Sequence, residues 1–249
     1  MQPLYAEEPI QTSYYTEQQI AALDADKIPK HVAIILDGNR RWATKRGESH
    51  AEGHKEGADI LVEIVRAAKE LSITAITVYG FSTENWNRPP DEVAAVLWLI
   101  EQYAIEQRPQ MIANEVRVRC IGDIQGLPDT LQKALEDTCR ATAHFSAIEL
   151  AMALNYGSRN EICRAINSAL EDHRPITEET ISSYLDTQGL PELDLLIRPG
   201  GELRISNFLL WQASYAELYF LEKMWPDFTP LDLYNAVLTY QKRQRRLGT

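Results

Sequence analysis

The stretch His31-Val-Ala-Ile-Ile-Leu-Asp37-Gly-Asn-Arg-Arg-Trp42 limits what this chain can fold into more than any other segment. An apolar run, Val32 to Leu36, ends at one carboxylate, and a glycine, an asparagine, two arginines and a tryptophan follow. A short apolar run between turn formers reads as a buried strand of a parallel sheet. Asp37 then stands at the carboxyl edge of that strand, where open α/β sheets hold their ligands. Gly38 allows a ligand close to the backbone, and the next residues can open a helix whose free N–H groups face an anion. Arg40 and Arg41 add forked donors suited to phosphate oxygens. One carboxylate beside such donors points to a Mg²⁺-bridged phosphate or diphosphate site. The plainer alternative is a strand end followed by a solvated turn.

The rest of the chain alternates in the same manner. Thr16 to about Lys27 reads as a short helix behind a loose arm (1–15), with Pro29 ahead of the first strand. Lys45-Arg46-Gly47 reads as a helix end, and Ala51 to Glu70 repeats its apolar residues with a helical period. Ile73–Phe81, Val116–Ile121, Ile148–Leu154, Leu193–Ile197 and Glu217–Leu221 read as further strands. Helices are expected from Pro89-Pro90 to about Ala113, Pro128 to His144, Ser158 to Leu170, Thr177 to Leu185 and Leu231 to about Arg246. A short apolar helix is expected before Glu217. Strand–helix alternation implies a parallel sheet covered on both faces.

Composition excludes several classes. The 249 residues carry Lys+Arg 25 against Asp+Glu 36, a net charge of −11, which argues against a nucleic-acid binder and makes clustered arginines informative. Cys120, Cys139 and Cys163 lack metal spacing and read as free core thiols in a reducing compartment. The polar, acidic N-terminus is unlike a signal peptide, and the apolar run Val93–Ile100 is too short to span a bilayer. A cytoplasmic location is expected.

Three more clusters carry chemistry. Tyr79-Gly-Phe-Ser-Thr-Glu-Asn-Trp-Asn-Arg88-Pro-Pro would leave the second strand on the same rim as Asp37, mixing aromatic anchors with polar groups. Asp194-Leu-Leu-Ile-Arg198-Pro-Gly-Gly-Glu-Leu-Arg204-Ile-Ser206 sets two arginines and a hydroxyl around a glycine turn that can form an anion nest. In Trp211-Gln-Ala-Ser-Tyr-Ala-Glu217-Leu-Tyr-Phe a lone carboxylate interrupts an apolar segment, and burying it would require a partner or a metal. An exposed position on an edge strand is the other reading of Glu217.

These segments resemble the signature motifs of the cis-prenyltransferases, the isoprenyl diphosphate synthases of the undecaprenyl diphosphate synthase type. Asp37-Gly-Asn-Arg-Arg-Trp42 is similar to the opening motif, with Leu36 replacing the usual methionine at conserved volume. Phe81-Ser-Thr-Glu-Asn-Trp-Asn-Arg-Pro89, Ile197-Arg-Pro-Gly-Gly-Glu-Leu-Arg-Ile-Ser-Asn-Phe208, Ala216-Glu-Leu-Tyr-Phe220 and the Arg246-Leu-Gly248 tail follow in family order. The resemblance implies a single-domain parallel α/β sheet of six strands with a hydrophobic product tunnel, catalytic over 31–249 behind an arm and short helix at 1–30, working as a homodimer.

The implied reaction is cis condensation of isopentenyl diphosphate onto an allylic diphosphate such as farnesyl diphosphate, with Mg²⁺ as cofactor. The product would be a long polyprenyl diphosphate such as the undecaprenyl lipid carrier, released through a peripheral membrane contact. By resemblance, Asp37 and Glu217 hold the metal, and Asn85 falls at the catalytic position. Gly38, Asn39, Arg40, Arg41, Trp42, His50, His54, Ser82, Thr83, Glu84, Trp86 and Arg88 would serve the allylic diphosphate. Arg198, Arg204, Ile205, Ser206, Arg246 and Gly248 would serve isopentenyl diphosphate. His50 stands where many bacterial relatives carry an arginine, so weaker allylic binding is expected, because an imidazole is the poorer phosphate ligand. Gly80 falls at a tunnel position where a small side chain is compatible with a long product. Other readings stay open: a non-catalytic subunit of the same fold, a Mg²⁺-dependent phosphatase (which would want an aspartate where Asn39 stands), and a plain phosphate-binding module.

Overall fold

The structure is a computed structural model that describes residues 13–243. Thr16 caps α1 (Glu17–Ala21) with a reciprocal Thr16–Gln19 box, and Asp24 starts a separate 3-10 turn at Ala25–Lys27, so the expected single helix is two pieces. The chain then runs β1 (His31–Ile35), α2 (Asn39–Arg46), α3 (His50–Glu70), β2 (Ala75–Ser82) and a 3-10 turn at Thr83–Asn87. After it come α4 (Pro90–Glu106), α5 (Arg108–Ala113), β3 (Val116–Ile121), α6 (Asp129–Thr142) and β4 (Ile148–Tyr156). The last third holds α7 (Ser158–Glu171), α8 (Glu178–Tyr184), β5 (Leu195–Arg198), β6 (Glu217–Phe220) and α9 (Pro230–Lys242).

The six strands are parallel, in the order β3-β4-β2-β1-β5-β6. β1 is central and its five residues are buried, which explains its unbroken apolar sequence. Its neighbours β2 and β5 are reached in opposite directions along the sheet, so the crevice beyond its carboxyl end lies at the switch in strand order. The main core sits between one face of the sheet and α3 and α9; a second cluster joins α4 and α6 to Phe81 and Leu154.

Several expectations change on physical grounds. The helix from Pro90 to Ala113 is divided at Gln107, because Pro109 lacks the N–H that would continue the ladder. The expected helix before Glu217 is a 3-10 turn at Gln212–Tyr215, and α9 ends at Lys242. Gly80 makes an irregularity in the β2–β4 register, with Phe81 rather than Gly80 pairing with Leu154. Cys163 is exposed, and Cys120 and Cys139 are half-buried with their sulfurs 3.7 Å apart, so the three do not form a set of core thiols. Among the described residues no helix is long and apolar enough to cross a membrane.

Candidate active site

Three segments leave adjacent central strands at the same rim, and their side chains converge there. Asp37 follows β1; its carbonyl accepts the Trp225 N–H at 2.9 Å, which pins the turn. Gly38 caps α2 with φ +111°, and a Cβ there would lie 2.8 Å from Met224, so glycine alone fits the close approach. No side chain caps α2, which leaves its first N–H groups available to an anion.

Arg198, the last residue of β5, is 4% exposed and holds the centre together. Its Nη2 donates to Asp37 Oδ2 at 2.8 Å and its Nη1 to Ser206 Oγ at 2.9 Å and to the Arg204 carbonyl. Arg41 Nη2 donates to the other carboxylate oxygen of Asp37 at 3.2 Å. Gly200 makes that approach possible: a Cβ there would meet Arg41 Nη2 at 2.8 Å. On the second segment Arg88 pairs with Glu92 at 3.2 Å, and Arg40 reaches the same carboxylate at 3.5 Å.

Between the sheet, α3 and α4 lies a cavity of about 700 Å³. Asp37, Asn39, His54, Asn85, Arg88, Arg198 and Ser206 line its mouth, and Leu61, Val62, Val96, Ile100, Met111 and Leu150 its depth. Two polar atoms at the mouth, Asn39 Oδ1 and His54 Nε2, are buried without a hydrogen-bond partner among the described residues. Asn39 Nδ2 lies 3.3 Å from His54 Nδ1; with the amide as donor, the imidazole proton sits on Nε2, a donor open to a ligand. Burial, reinforced by Arg88, pushes the His54 pKa down to about 4, so the ring is neutral near pH 7.

The structure also separates residues that the motifs group together. Trp42 is buried outside the cavity lining: its indole N–H donates to Asp227 Oδ1 at 2.8 Å and Arg46 stacks on its ring, which holds α2 in place. Trp86 lies outside the cavity wall, edge-on to Phe81, with its N–H on Asn155 Oδ1 at 2.7 Å. Ile205 packs with the cluster around Phe208. Glu84 and Ser82 do line the cavity, but Glu84 is engaged by Asn207 Nδ2 at 2.9 Å and by Thr83, and as a carboxylate it would repel a diphosphate. Arg204 is exposed and paired with Glu202, and His50 is exposed at the start of α3, one turn before the cavity-lining His54 but not itself in the wall. Arg246 and Gly248 lie outside the described residues.

Glu217 is the clearest departure. It opens β6 opposite Leu195, which in turn pairs with Val32, five residues before Asp37. At about 3.3 Å per residue this puts it at the other end of the sheet. Its carboxylate pairs with Arg243 at 2.7 Å, so within one chain it does not join Asp37.

Arg159 and Asn207 were not singled out from the sequence, yet both line the cavity. Arg159 lies beyond the end of β4 at the start of α7, the strand-end position that made Asp37 informative. Asn207 accepts the Arg159 N–H on Oδ1 at 3.0 Å while donating to Glu84, which joins the Ser206 loop to the Thr83–Asn87 turn.

The donor set fits a divalent cation shared with a substrate. Asp37 supplies one carboxylate on the cavity wall, and Mg²⁺ commonly takes one or two carboxylates with phosphate oxygens and water. No group of three or more His, Cys, Asp or Glu side chains suited to a metal occurs among the described residues.

The comparisons agree with this geometry. Residues 35–248 match the Prenyltransf family model, described as undecaprenyl diphosphate synthase. The chain is 47% identical over 234 residues to an isoprenyl transferase of Chlamydia trachomatis serovar D, covering 90% of this chain and 92% of that one. It is 46% identical over 228 residues to an isoprenyl transferase of Geobacillus kaustophilus, covering 89% of each. The crystal structure of lavandulyl diphosphate synthase from Lavandula x intermedia, in complex with dimethylallyl diphosphate, superposes with a TM-score of 0.86 at 34% identity, covering 90% of this chain and 100% of that one. A Campylobacter jejuni structure described as a probable undecaprenyl diphosphate synthase gives 0.76 at 33% identity, covering 89% and 99%. With strand-end Asp37 and Arg198 at the mouth of an apolar cavity, the chain belongs to the undecaprenyl diphosphate synthase family of prenyl-transferring enzymes.

Proposed function

We propose that the protein condenses isopentenyl diphosphate with an allylic diphosphate such as farnesyl diphosphate, in cis and repeatedly, to give a long polyprenyl diphosphate. The observation that carries this is one cavity with a cationic, carboxylate-bearing mouth and a deep aliphatic interior, which matches a diphosphate head on a hydrocarbon tail. The allylic diphosphate takes the free N–H groups of α2, His54 Nε2–H and the guanidinium of Arg88. Isopentenyl diphosphate takes Arg198 and Ser206, with Arg204 swinging in from solvent, so that its double bond faces the allylic carbon. Mg²⁺, held by Asp37 with substrate oxygens, would neutralise charge on the departing diphosphate.

A new C–C bond forms as the allylic C–O bond breaks, and one proton must leave. Asn85 is not the base: its Oδ1 accepts the Ser82 N–H at 3.0 Å, which leaves the amide N–H groups to orient a substrate oxygen. An oxygen of the departing diphosphate takes the proton. Catalysis of this kind comes mainly from positioning and charge stabilisation. Glu217, with Arg246 and Gly248, would contribute only from a second copy of the chain in a homodimer.

Incubation with Mg²⁺, farnesyl diphosphate and labelled isopentenyl diphosphate, followed by sizing of the extracted lipid, tests the reading. A polyprenyl ladder that requires Asp37 is expected. Failure of several allylic primers with folded protein would leave the non-catalytic subunit as the better account.

A further inference from the structure

The two ends of the cavity differ from its walls. Asp37, Arg88 and Arg198 stand at the mouth and the walls are mostly aliphatic, with Tyr103 and Gln107 among them, but at the inner end another arginine lines the space. Arg108 is the first residue of α5, placed there by the break at Gln107 that Pro109 imposes. Its Nε donates to Thr138 Oγ1 at 2.9 Å and its Nη2 to the Ala134 carbonyl at 3.3 Å. Thr138 is 3% exposed, and its own hydroxyl donates to the Ala104 carbonyl at 2.6 Å. One hydroxyl thus ties the last turn of α4, the body of α6 and the guanidinium together. Among the described residues Arg108 forms no ion pair, and Met111, Val118 and Leu150 share its end of the cavity.

A cation fixed at the end of a hydrocarbon-lined space changes what that space accepts. Each methylene that enters gains by burial until the chain meets the guanidinium. Going further means stripping the charge of water or breaking its two bonds to α6, and neither is returned by an apolar partner. We propose that Arg108, held in place by Thr138, is the stop that sets how long a hydrocarbon chain this cavity admits. The inference rests on the reading that the growing prenyl chain enters from the Asp37 mouth.

The test compares the wild type with Arg108→Leu and Arg108→Lys, all checked for folding by circular dichroism. With farnesyl diphosphate and labelled isopentenyl diphosphate, Arg108→Leu is expected to lengthen the product by at least one isoprene unit. Its kcat/KM for isopentenyl diphosphate should stay within about threefold, since the mouth is untouched. Arg108→Lys keeps the charge and should stay near the wild-type length. Thr138→Val removes the acceptor of Nε and should broaden the distribution towards longer products, which keeps the test open if Arg108→Leu does not fold.

A second arm needs no turnover: n-alkyl phosphates of rising length are titrated by tryptophan fluorescence. In the wild type the gain of about fourfold in affinity per buried methylene should stop at a set length. In Arg108→Leu it should continue further. Equal stopping lengths in both proteins, or an unchanged product in Arg108→Leu and Thr138→Val, overturn the inference. A shifted alkyl limit without any condensation would support the stop and defeat the prenyl-transfer reading alone.

Discussion

At the scale of single residues, the centre depends on a pair of opposite charges at different depths. Arg198 is almost wholly buried while the Asp37 side chain keeps about a quarter of its exposure, so the pair costs less to desolvate than a fully buried one. Asp37→Ala is expected to abolish condensation and to leave the Arg198 guanidinium short of its main partner. Urea unfolding should then show a loss of about 1–3 kcal/mol. Arg198→Ala should cut kcat/KM for isopentenyl diphosphate by about 10²-fold or more, read from steady-state kinetics. Gly38 makes a backbone prediction: Gly38→Ala must accept φ +111° and a 2.8 Å contact with Met224. A loss of about 2 kcal/mol, seen as a lower Tm, with activity falling further as Asp37 shifts, is the expected outcome.

At the scale of elements, the carboxyl ends of three neighbouring strands do the positioning, and Asn207 bridges two segments that leave this rim. It donates to Glu84 on the Thr83–Asn87 turn and accepts from Arg159 at the start of α7. Losing both bonds in Asn207→Ala should free the turn that carries Arg88. The KM for the allylic substrate should rise by up to about thirtyfold with a smaller change in kcat, because two lost bonds at about 1 kcal/mol each give about 2 kcal/mol. An equal fall in kcat at constant KM would place Asn207 in the chemical step instead. The motif order made the three loops legible from sequence, since each comes after an apolar strand and ends in residues that no buried strand would carry. The link between the loops was not legible, because Glu84 and Asn207 lie 123 positions apart and meet only through the sheet.

At the scale of the whole molecule, two histidines tie stability to pH. Burial pushes His31 to about 4, with Nε2 and Thr77 Oγ1 2.7 Å apart and Nδ1 near the Pro191 carbonyl, and His54 is lowered to about 4 in the cavity wall. Both are neutral when folded, whereas in the unfolded chain they take up protons near pH 6.5. Below that value the unfolded state binds more protons, so stability should fall as the pH drops from 6.5 towards 4, by up to about 3 kcal/mol for each histidine. Urea midpoints at pH 7.5 and 5.0 would show the loss. Proton NMR of the imidazoles should show neither ring titrating near 6.5, and a normal titration of either would refute its part of the effect.

What the sequence determined by itself was local and periodic. The Val32–Leu36 run, the helical repeat of 51–70 and the caps Thr16, Thr177 and Thr229 each state a preference within one element, and each element starts where read, although the Thr16 helix stops at Ala21 and the last helix at Lys242. The strand-end rule also put Asp37 and the Arg88 segment on one rim, because in a parallel sheet every carboxyl end faces the same way, and the structure adds Arg198 at the end of β5. Only the tertiary structure decided which motif residues meet. Trp42 turns inward to Asp227, Glu217 opens its strand at the far edge beside Arg243, and Arg108 closes a cavity whose mouth is made by residues far away in sequence. A motif records which residues lie near one another along the chain, and strand register and helix packing then set which side of the sheet each one faces.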